Sequence, residues 1–331
     1  MRRSHASGDG GRTVRRRTTP SAASVEAVDS PDETYAPYGL ETRPEALGLT
    51  TRTIETSEGR VVVRHAPLGG ARRATILLHG AAGSWTTWTP LLRSADEAGT
   101  DLARPVLIDL PGWGDSPTPP TPLDVDRAAE VVVEVAEQLG ALEFDLVGHS
   151  LGGFVALHLA ATRPELVTSV SLVSGTTFSA IDAVTHPWRG LVRLPAFTLL
   201  RAGFAALPTT AVSIARAATR LGAVRVLAAP IFRHVGRIDP SVLAVFADEL
   251  RPREFSAAAL AGATYATSRW RAISCDVNAV SGADDVFARP DDLDRLSRVI
   301  PHTRVTLLAD CGHFAHIERP FETLRALGYS A

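Results

Sequence analysis

The sequence contains no lysine; all 34 of its basic residues are arginine. A Schiff-base lysine, a phosphate-loop lysine and a Ser–Lys dyad are therefore excluded. Cysteine is nearly as scarce. Cys275 and Cys311 are too few for a disulfide scaffold or a zinc site. They fall at opposite ends of what read as neighbouring parallel strands, too far apart to bridge, so free buried thiols in a reducing compartment are expected. Net charge is also nearly absent, at −2, and gives no reason to expect a nucleic-acid partner. No stretch reaches the ~20 apolar residues that span a bilayer, and no internal repeat is visible. At 331 residues, 45% hydrophobic and 21% charged, the remainder is ordinary globular composition, long enough for one large α/β domain with an insertion.

Residues 1–44 are rich in Arg, Ser, Thr, Gly and Pro and have almost no apolar periodicity. Such a stretch cannot offset its ordering entropy by burial, so a disordered, solvated Arg-rich tail is expected. Arg2-Arg3 and Arg15-Arg16-Arg17 resemble the start of a twin-arginine export signal, but no apolar core follows either group. The expected compartment is the cytoplasm.

Further on, strands and helices alternate. Thr51 to Thr56 and Arg60 to His65 read as an edge hairpin, and Ala74 to Leu78 and Pro105 to Asp109 as further strands. Asp124 to Leu139 reads as a helix with Asp124 as N-cap and Gly140 as stop. Glu143 to Val147 and Val167 to Val173 follow as strands, flanking a helix from Leu151 to Arg163 that is amphipathic in its spacing and expected to be buried. The alternation implies an α/β fold, a mostly parallel sheet with helices on both faces. From 176 to 271 the pattern becomes helical, rich in Ala, Leu, Val, Phe and Arg. Breaks are expected at Pro187, Pro195, Pro208, Pro230, Pro240 and Pro252. A segment that long is an inserted subdomain, dividing a core of 45–175 and 272–331. Val277 to Val280, Pro290 to Val299, Val305 to Leu308 and Pro320 to Leu327 complete the core as strand, helix, strand and helix.

The chain's chemistry centres on Gly148-His149-Ser150-Leu151-Gly152, between a strand and a helix. In that context Gly-x-Ser-x-Gly is a nucleophile elbow, lifting the Ser150 hydroxyl above the carboxyl edge of the sheet. A serine hydroxyl needs a neighbouring base, and the base an anchoring acid. Loops after two later strands offer both: Ser281-Gly282-Ala283-Asp284-Asp285, with two candidate acids, and Asp310-Cys311-Gly312-His313, with His316 a second candidate base. Asp276 and Asp310 read as structural, as do His79 and His158. The Leu151 N–H, at the start of the elbow helix, is expected to receive a developing oxyanion.

Four motifs then agree in order: His79-Gly80, Pro111-Gly112-Trp113-Gly114-Asp115-Ser116, Gly148 to Gly153, and Gly312-His313-Phe314-Ala315-His316-Ile317-Glu318-Arg319-Pro320. In these the chain resembles the α/β-hydrolases of the single-domain, helical-capped, esterase- and lipase-like group. The resemblance extends from about Thr51 to the end, apart from the insertion. It implies Ser150 as nucleophile, His313 as general base and Asp285 as acid, with the Ala81 N–H as second oxyanion donor and Ala82 its fallback. It also implies a helical cap over Ser150 and no metal or cofactor. The cap's aliphatic residues, with Phe178, Phe197, Phe204 and Phe232, point to a small-molecule apolar ester. Trp113 reads equally as a pocket wall or as a structural tryptophan. Arg193, Arg201, Arg216, Arg220 and Arg225 read as a solvated face, or as a group binding a substrate carboxylate or an anionic membrane. Ester hydrolysis leads. Carbon–carbon hydrolysis of ring-cleavage products, lactone hydrolysis, acyl transfer and a non-enzymatic binding module are the alternatives, which fold alone does not separate.

Overall fold

The computed structural model describes residues 26–28, 34–70, 72–100 and 102–329. Short apolar runs form a sheet that, among these residues, has nine strands in the order β1-β9-β8-β7-β6-β4-β5-β3-β2. β2 (Thr50–Thr56) and β3 (Gly59–His65) make the antiparallel edge hairpin. β3 runs antiparallel to β5 (Pro105–Ile108), which is parallel to β4 (Arg73–Leu78). From β4 the sheet continues in parallel through β6 (Glu143–His149), β7 (Val167–Val173), β8 (Asp276–Gly282) and β9 (Thr303–Leu308). β4 and β6 are buried throughout after their first residue, as central strands covered on both faces must be.

Helices cover the two faces. They are α1 (Thr89–Glu97), α2 (Val125–Leu139), α3 (Leu151–Thr162), and later α11 (Pro290–Val299), α12 (Ala315–Glu318) and α13 (Pro320–Ala326). Asp124 caps α2 by accepting the Arg127 N–H, and Gly140, in the left-handed region, ends it. The helix after Ser150 is buried, as expected, but all round rather than on one amphipathic face. α3 is buried from Gly152 to Ala160, because α2, β6 and the 3-10 turn Thr267–Ala272 enclose it.

Between β7 and β8 the chain leaves the sheet. It forms α4 (Phe178–Thr185), α5 (Pro187–Arg193), α6 (Pro195–Ala206), α7 (Pro208–Arg220), α8 (Val224–Ala228), α9 (Pro240–Asp248) and α10 (Pro252–Gly262). Five of these helices begin on a proline, where the missing N–H costs nothing. No single helix among the described residues is long and apolar enough to cross a membrane.

The expectation of a disordered tail to residue 44 is corrected over 34–44. Tyr35 is buried, its hydroxyl donates to Glu318 Oε2 at 2.7 Å, and the Ala36 N–H donates to the Glu318 carbonyl at 2.7 Å. A few such anchors carry no periodic signal, yet each ties the chain down. β1 (Glu26–Val28) further pairs in parallel with β9. Residues 1–25 and 29–33, also included in that expectation, lie outside the described residues. Cys275 precedes β8, Cys311 follows β9, and both are free thiols.

Candidate active site

Residue 150 lies in a backbone region that non-glycine residues rarely occupy, with φ 49° and ψ −114°. Surrounding bonds hold it there. The Ser150 N–H donates to the Val173 carbonyl at 3.1 Å, while the Ser150 carbonyl accepts from Gly153, Phe154 and Thr176. Close approach explains the flanking glycines. A Cβ on Gly148 would lie 2.5 Å from the Gly152 carbonyl oxygen, and one on Gly152 only 2.1 Å from that of Leu78. The turn is thus pressed against β4, with its serine at the carboxyl edge where parallel sheets bind ligands.

The loops after β8 and β9 meet beside it. His313 Nδ1 bonds both oxygens of Asp285, at 3.0 and 2.9 Å. Asp285 Oδ1 also accepts the N–H groups of Phe287 and Ala288, at 2.7 and 2.9 Å, and its side chain is fully buried. Asp284 points elsewhere, half exposed and 3.1 Å from Arg233. This arrangement leaves His313 Nε2 as the imidazole nitrogen available on the cavity side. His316 is fully buried against Trp88, and neither of its ring nitrogens has a partner among the described residues. Burial pulls its pKa down to about 3.

Ser150 and His313 line one cavity of about 440 Å³, but no hydrogen bond within 3.5 Å joins them among the described residues. The Ser150 hydroxyl is instead paired with Thr176 Oγ1 at 3.3 Å. Thr176, which follows β7, went unnoticed in the sequence because a lone threonine after a strand carries no signal. Ala81, Ala82 and Leu151 also line the cavity. As the first residue of α3, Leu151 has no intrahelical acceptor for its N–H.

Two histidines brace these loops. His79 donates from Nδ1 to the Gly80 carbonyl at 2.8 Å and accepts the Leu110 N–H at Nε2, 3.1 Å away. It is therefore neutral and joins the loops after β4 and β5, with burial lowering its pKa. His149 donates from Nε2 to the His313 carbonyl at 3.1 Å, joining the elbow to the histidine loop. Burial, then the neighbouring His316 and His313, hold its pKa well below the ordinary value. Glu318 completes the bracing, its carboxylate accepting the Gly312, Phe314 and Arg233 N–H groups and the Tyr35 hydroxyl. His158 bonds the Tyr265 hydroxyl at 3.1 Å, and Asp310 pairs with His234 and Arg319, all away from Ser150. Asp276 opens β8, at the end remote from the site.

Of the two readings of Trp113, the structure takes the structural one, and its place as a wall of the Ser150 cavity is corrected. Its ring is buried and lines a separate cavity of about 300 Å³ with Leu110, Pro111 and Pro119, not the one holding Ser150. Its motif instead wraps a buried carboxylate that sequence inspection missed. Asp109 pairs with Arg64 and accepts the Trp85 N–H at 2.8 Å, while a Cβ on Gly114 would meet the Asp109 carboxyl at 2.4 Å.

Of the four phenylalanines expected in the pocket, Phe197 and Phe204 line it, but Phe178 packs on Trp270 and Phe232 stacks on Phe314. Phe154, Phe246, Phe255, Phe287 and Phe314 supply the rest of its aromatic wall. The polar side chains on the lining are Ser150, Thr176, Thr210 and His313, and none of Arg193, Arg201, Arg216, Arg220 or Arg225 reaches it.

Comparison with known proteins bears on this arrangement. A 2-hydroxy-6-oxononadienedioate/2-hydroxy-6-oxononatrienedioate hydrolase of Burkholderia vietnamiensis is 33% identical over 40% of this chain and 47% of its own. Bifunctional epoxide hydrolase 2 of Mus musculus is 25% identical over 86% of this chain and 57% of its own. The chain thus spans about half the length of the curated relatives it matches. The enol-lactonase from Burkholderia xenovorans LB400 superimposes with a TM-score of 0.66 at 18% identity, over 84% of this chain and 99% of that one. Naproxen esterase from Bacillus subtilis does so with 0.63 at 20%, over 86% and 94%. At those identities the likeness is one of fold. The family match is broader, running over residues 75–327 from within β4 to the end of α13, and so covering the elbow and both loops that face it. The chain belongs to the alpha/beta hydrolase family.

Proposed function

We propose that this protein hydrolyses carboxylic esters of uncharged, apolar substrates through an acyl-enzyme on Ser150. The observation that carries the reading is the cavity, about 440 Å³ and reaching Ser150 and His313, with no charged side chain on its lining. A carboxylate there would be desolvated without a partner, whereas an apolar acyl or alcohol group gains from burial. That argues against the nearest alternative. The name of the Burkholderia vietnamiensis relative specifies a dicarboxylate, a dioate, as its substrate. Serine at the elbow likewise argues against epoxide chemistry, for which the family resemblance implies an aspartate nucleophile.

In this reading, substrate entry turns the Ser150 hydroxyl from Thr176 towards His313. Such bonds are often open in the free enzyme and close in the complex. His313 Nε2 takes the hydroxyl proton as Oγ attacks the ester carbonyl, and Asp285 holds Nδ1–H and the imidazolium. The oxyanion is received by the N–H groups of Leu151 and Ala81. Collapse expels the alcohol, which takes the proton from His313. Water then repeats the sequence on the acyl-enzyme and frees the acid. Helices α4–α10 act as a cap supplying most of the acyl pocket.

The test is a panel of p-nitrophenyl esters, lactones and vinylogous diketones, each in a neutral and a carboxylate-bearing form. Neutral esters are expected to turn over fastest, a fluorophosphonate to add once per chain at Ser150, and Ser150→Ala to lower kcat roughly 10⁴–10⁶-fold. Preference for an anionic diketone would move the reading to carbon–carbon hydrolysis. Equal, slow turnover by wild type and Ser150→Ala would end it.

A further inference from the structure

The inserted helices carry apolar side chains where a protein in water has no use for them. Trp188 is 84% exposed, Val192 83% and Leu221 81%. Trp188 and Val192, four residues apart on α5, share one face. Leu199, Leu207, Ile214 and Leu227 are each between 43% and 62% exposed, and all four also line the cavity that holds Ser150. The mouth of that cavity therefore opens through an apolar surface. Clusters of exposed apolar residues around a cavity mouth mark interaction sites.

The stretch of chain that forms this surface carries charge of one sign. Between Asp182 and Asp239 the chain has eight arginines and no acidic residue. Arg193 pairs with Asp291, and Arg225 bonds the carbonyls of Val235 and Gly236. Arg189, Arg216 and Arg220 stand exposed on α5 and α7, among the apolar residues. Arginine with exposed Trp and Leu on short helices is the composition that settles in the headgroup region of an anionic bilayer. Length decides between lying on a membrane and crossing it. α6 and α7 meet at 112°, and at 12 and 13 residues neither alone spans the ~30 Å hydrocarbon core.

We infer that the α5–α8 face docks on an anionic phospholipid surface and that the cavity draws its substrate from the bilayer through the mouth rimmed by Leu199, Leu207, Ile214 and Leu227. The partner is the membrane surface. The substrate class, on the ester reading above, is a membrane-dissolved apolar ester. Such a molecule passes from lipid to cavity along a continuous apolar path without entering water.

Flotation of the full chain with phosphatidylcholine vesicles, with and without phosphatidylglycerol, tests docking separately from hydrolysis. The chain is expected to float with the anionic vesicles and to be released by salt. Ser150→Ala is expected to float equally, so absence of ester turnover with intact flotation would remove the ester reading and leave docking standing. Trp85, Trp88, Trp113 and Trp270 are buried, so the emission of exposed Trp188 should shift to the blue as vesicles are added. Replacing Trp188, Val192 and Leu221 together by serine should weaken flotation roughly ten-fold or more while turnover of p-nitrophenyl acetate in solution stays unchanged. Arg216→Glu with Arg220→Glu, which leaves the apolar residues in place, should weaken it by roughly ten-fold at low salt. Docking is overturned if the chain stays in the aqueous phase with both vesicle types. It is equally overturned if the triple variant floats like wild type, which would pass binding to the N-terminal arginines present in both. A wild-type dimer that ignores vesicles and becomes monomeric in the triple variant would show the face to be a subunit interface.

Discussion

The rim around Ser150 and the helices above it differ in how tightly each residue is specified. At the rim, backbone passes backbone with no room for a side chain at Gly148 and Gly152, and a carboxylate and an imidazole each have assigned partners. Over α5–α8, large apolar residues face solvent, and Gly203 has open space where a Cβ would stand. The first region is built for one geometry. The second is built of a composition, which many sequences could satisfy. This division is why the proposed chemistry names single atoms while the proposed substrate is only a class.

The sharpest test within the rim sets Asp285 against its neighbour. Asp285→Asn keeps the shape but favours the wrong His313 tautomer, so kcat should fall roughly 10⁴-fold. Asp284→Asn, which only loses an exposed pair with Arg233, should stay within about two-fold of wild type, an effect of the size expected of surface ion pairs. Steady-state kinetics on one neutral ester measures both. Equal effects would mean that the rim is less specific than its hydrogen bonds indicate.

A second test is steric. Gly152→Ala places a Cβ 2.1 Å from the Leu78 carbonyl oxygen, on a central strand that cannot retreat. A loss of about 3 kcal/mol or more in unfolding free energy is expected, measured by denaturant melts.

These contrasts also account for what could be read in advance. Gly148, Ser150 and Gly152 lie within five residues, and strand and helix patterns on either side supplied their context. His313 and Asp285 were candidates because each follows a strand end, where a parallel sheet gathers its loops, and the family resemblance chose them over His316 and Asp284. What could not be read depends on single residues meeting across long separations. Tyr35 and Glu318 are 283 residues apart, and Arg64 reaches Asp109 across a strand pair, yet neither contact leaves a pattern. Trp113 stayed open between two readings for the same reason, since a large aromatic beside such a motif does not reveal which cavity it faces. In the inserted helices the prolines marked the breaks, but helical spacing did not distinguish the phenylalanines that face the cavity from those that pack behind it.

Beneath the rim lies a buried ring whose titration can be read in stability. His316 has a folded pKa of about 3 against an ordinary 6.5. Because the folded value is depressed, its contribution to stability is complete above pH 6.5 and is lost as pH falls from there towards 3. At pH 5 the loss is about 2 kcal/mol from this residue alone. Buried His79 and His149 shift in the same direction, so wild-type stability should fall steeply on acidification. His316→Phe keeps a ring against Trp88 and removes one titration. Melts at pH 7 and pH 5 should show a smaller acid loss in the variant by about 2 kcal/mol. An unchanged difference would mean that this ring is not held neutral by burial.

The smallest expected effect comes from the loosest region and has the opposite sign. Gly203 lies within α6 at an ordinary helical φ, and an added Cβ meets nothing within 4 Å. Alanine there restricts the unfolded chain and favours helix without displacing a neighbour, so Gly203→Ala should stabilise by about 0.5–1 kcal/mol. The same Gly→Ala change is thus expected to unsettle the rim at residue 152 and to strengthen the insertion at residue 203. The pair of melts compares how much freedom the two regions retain. If alanine at 203 destabilises, α6 is packed against something that the isolated chain does not display, and the apolar face it shares would have a resident partner.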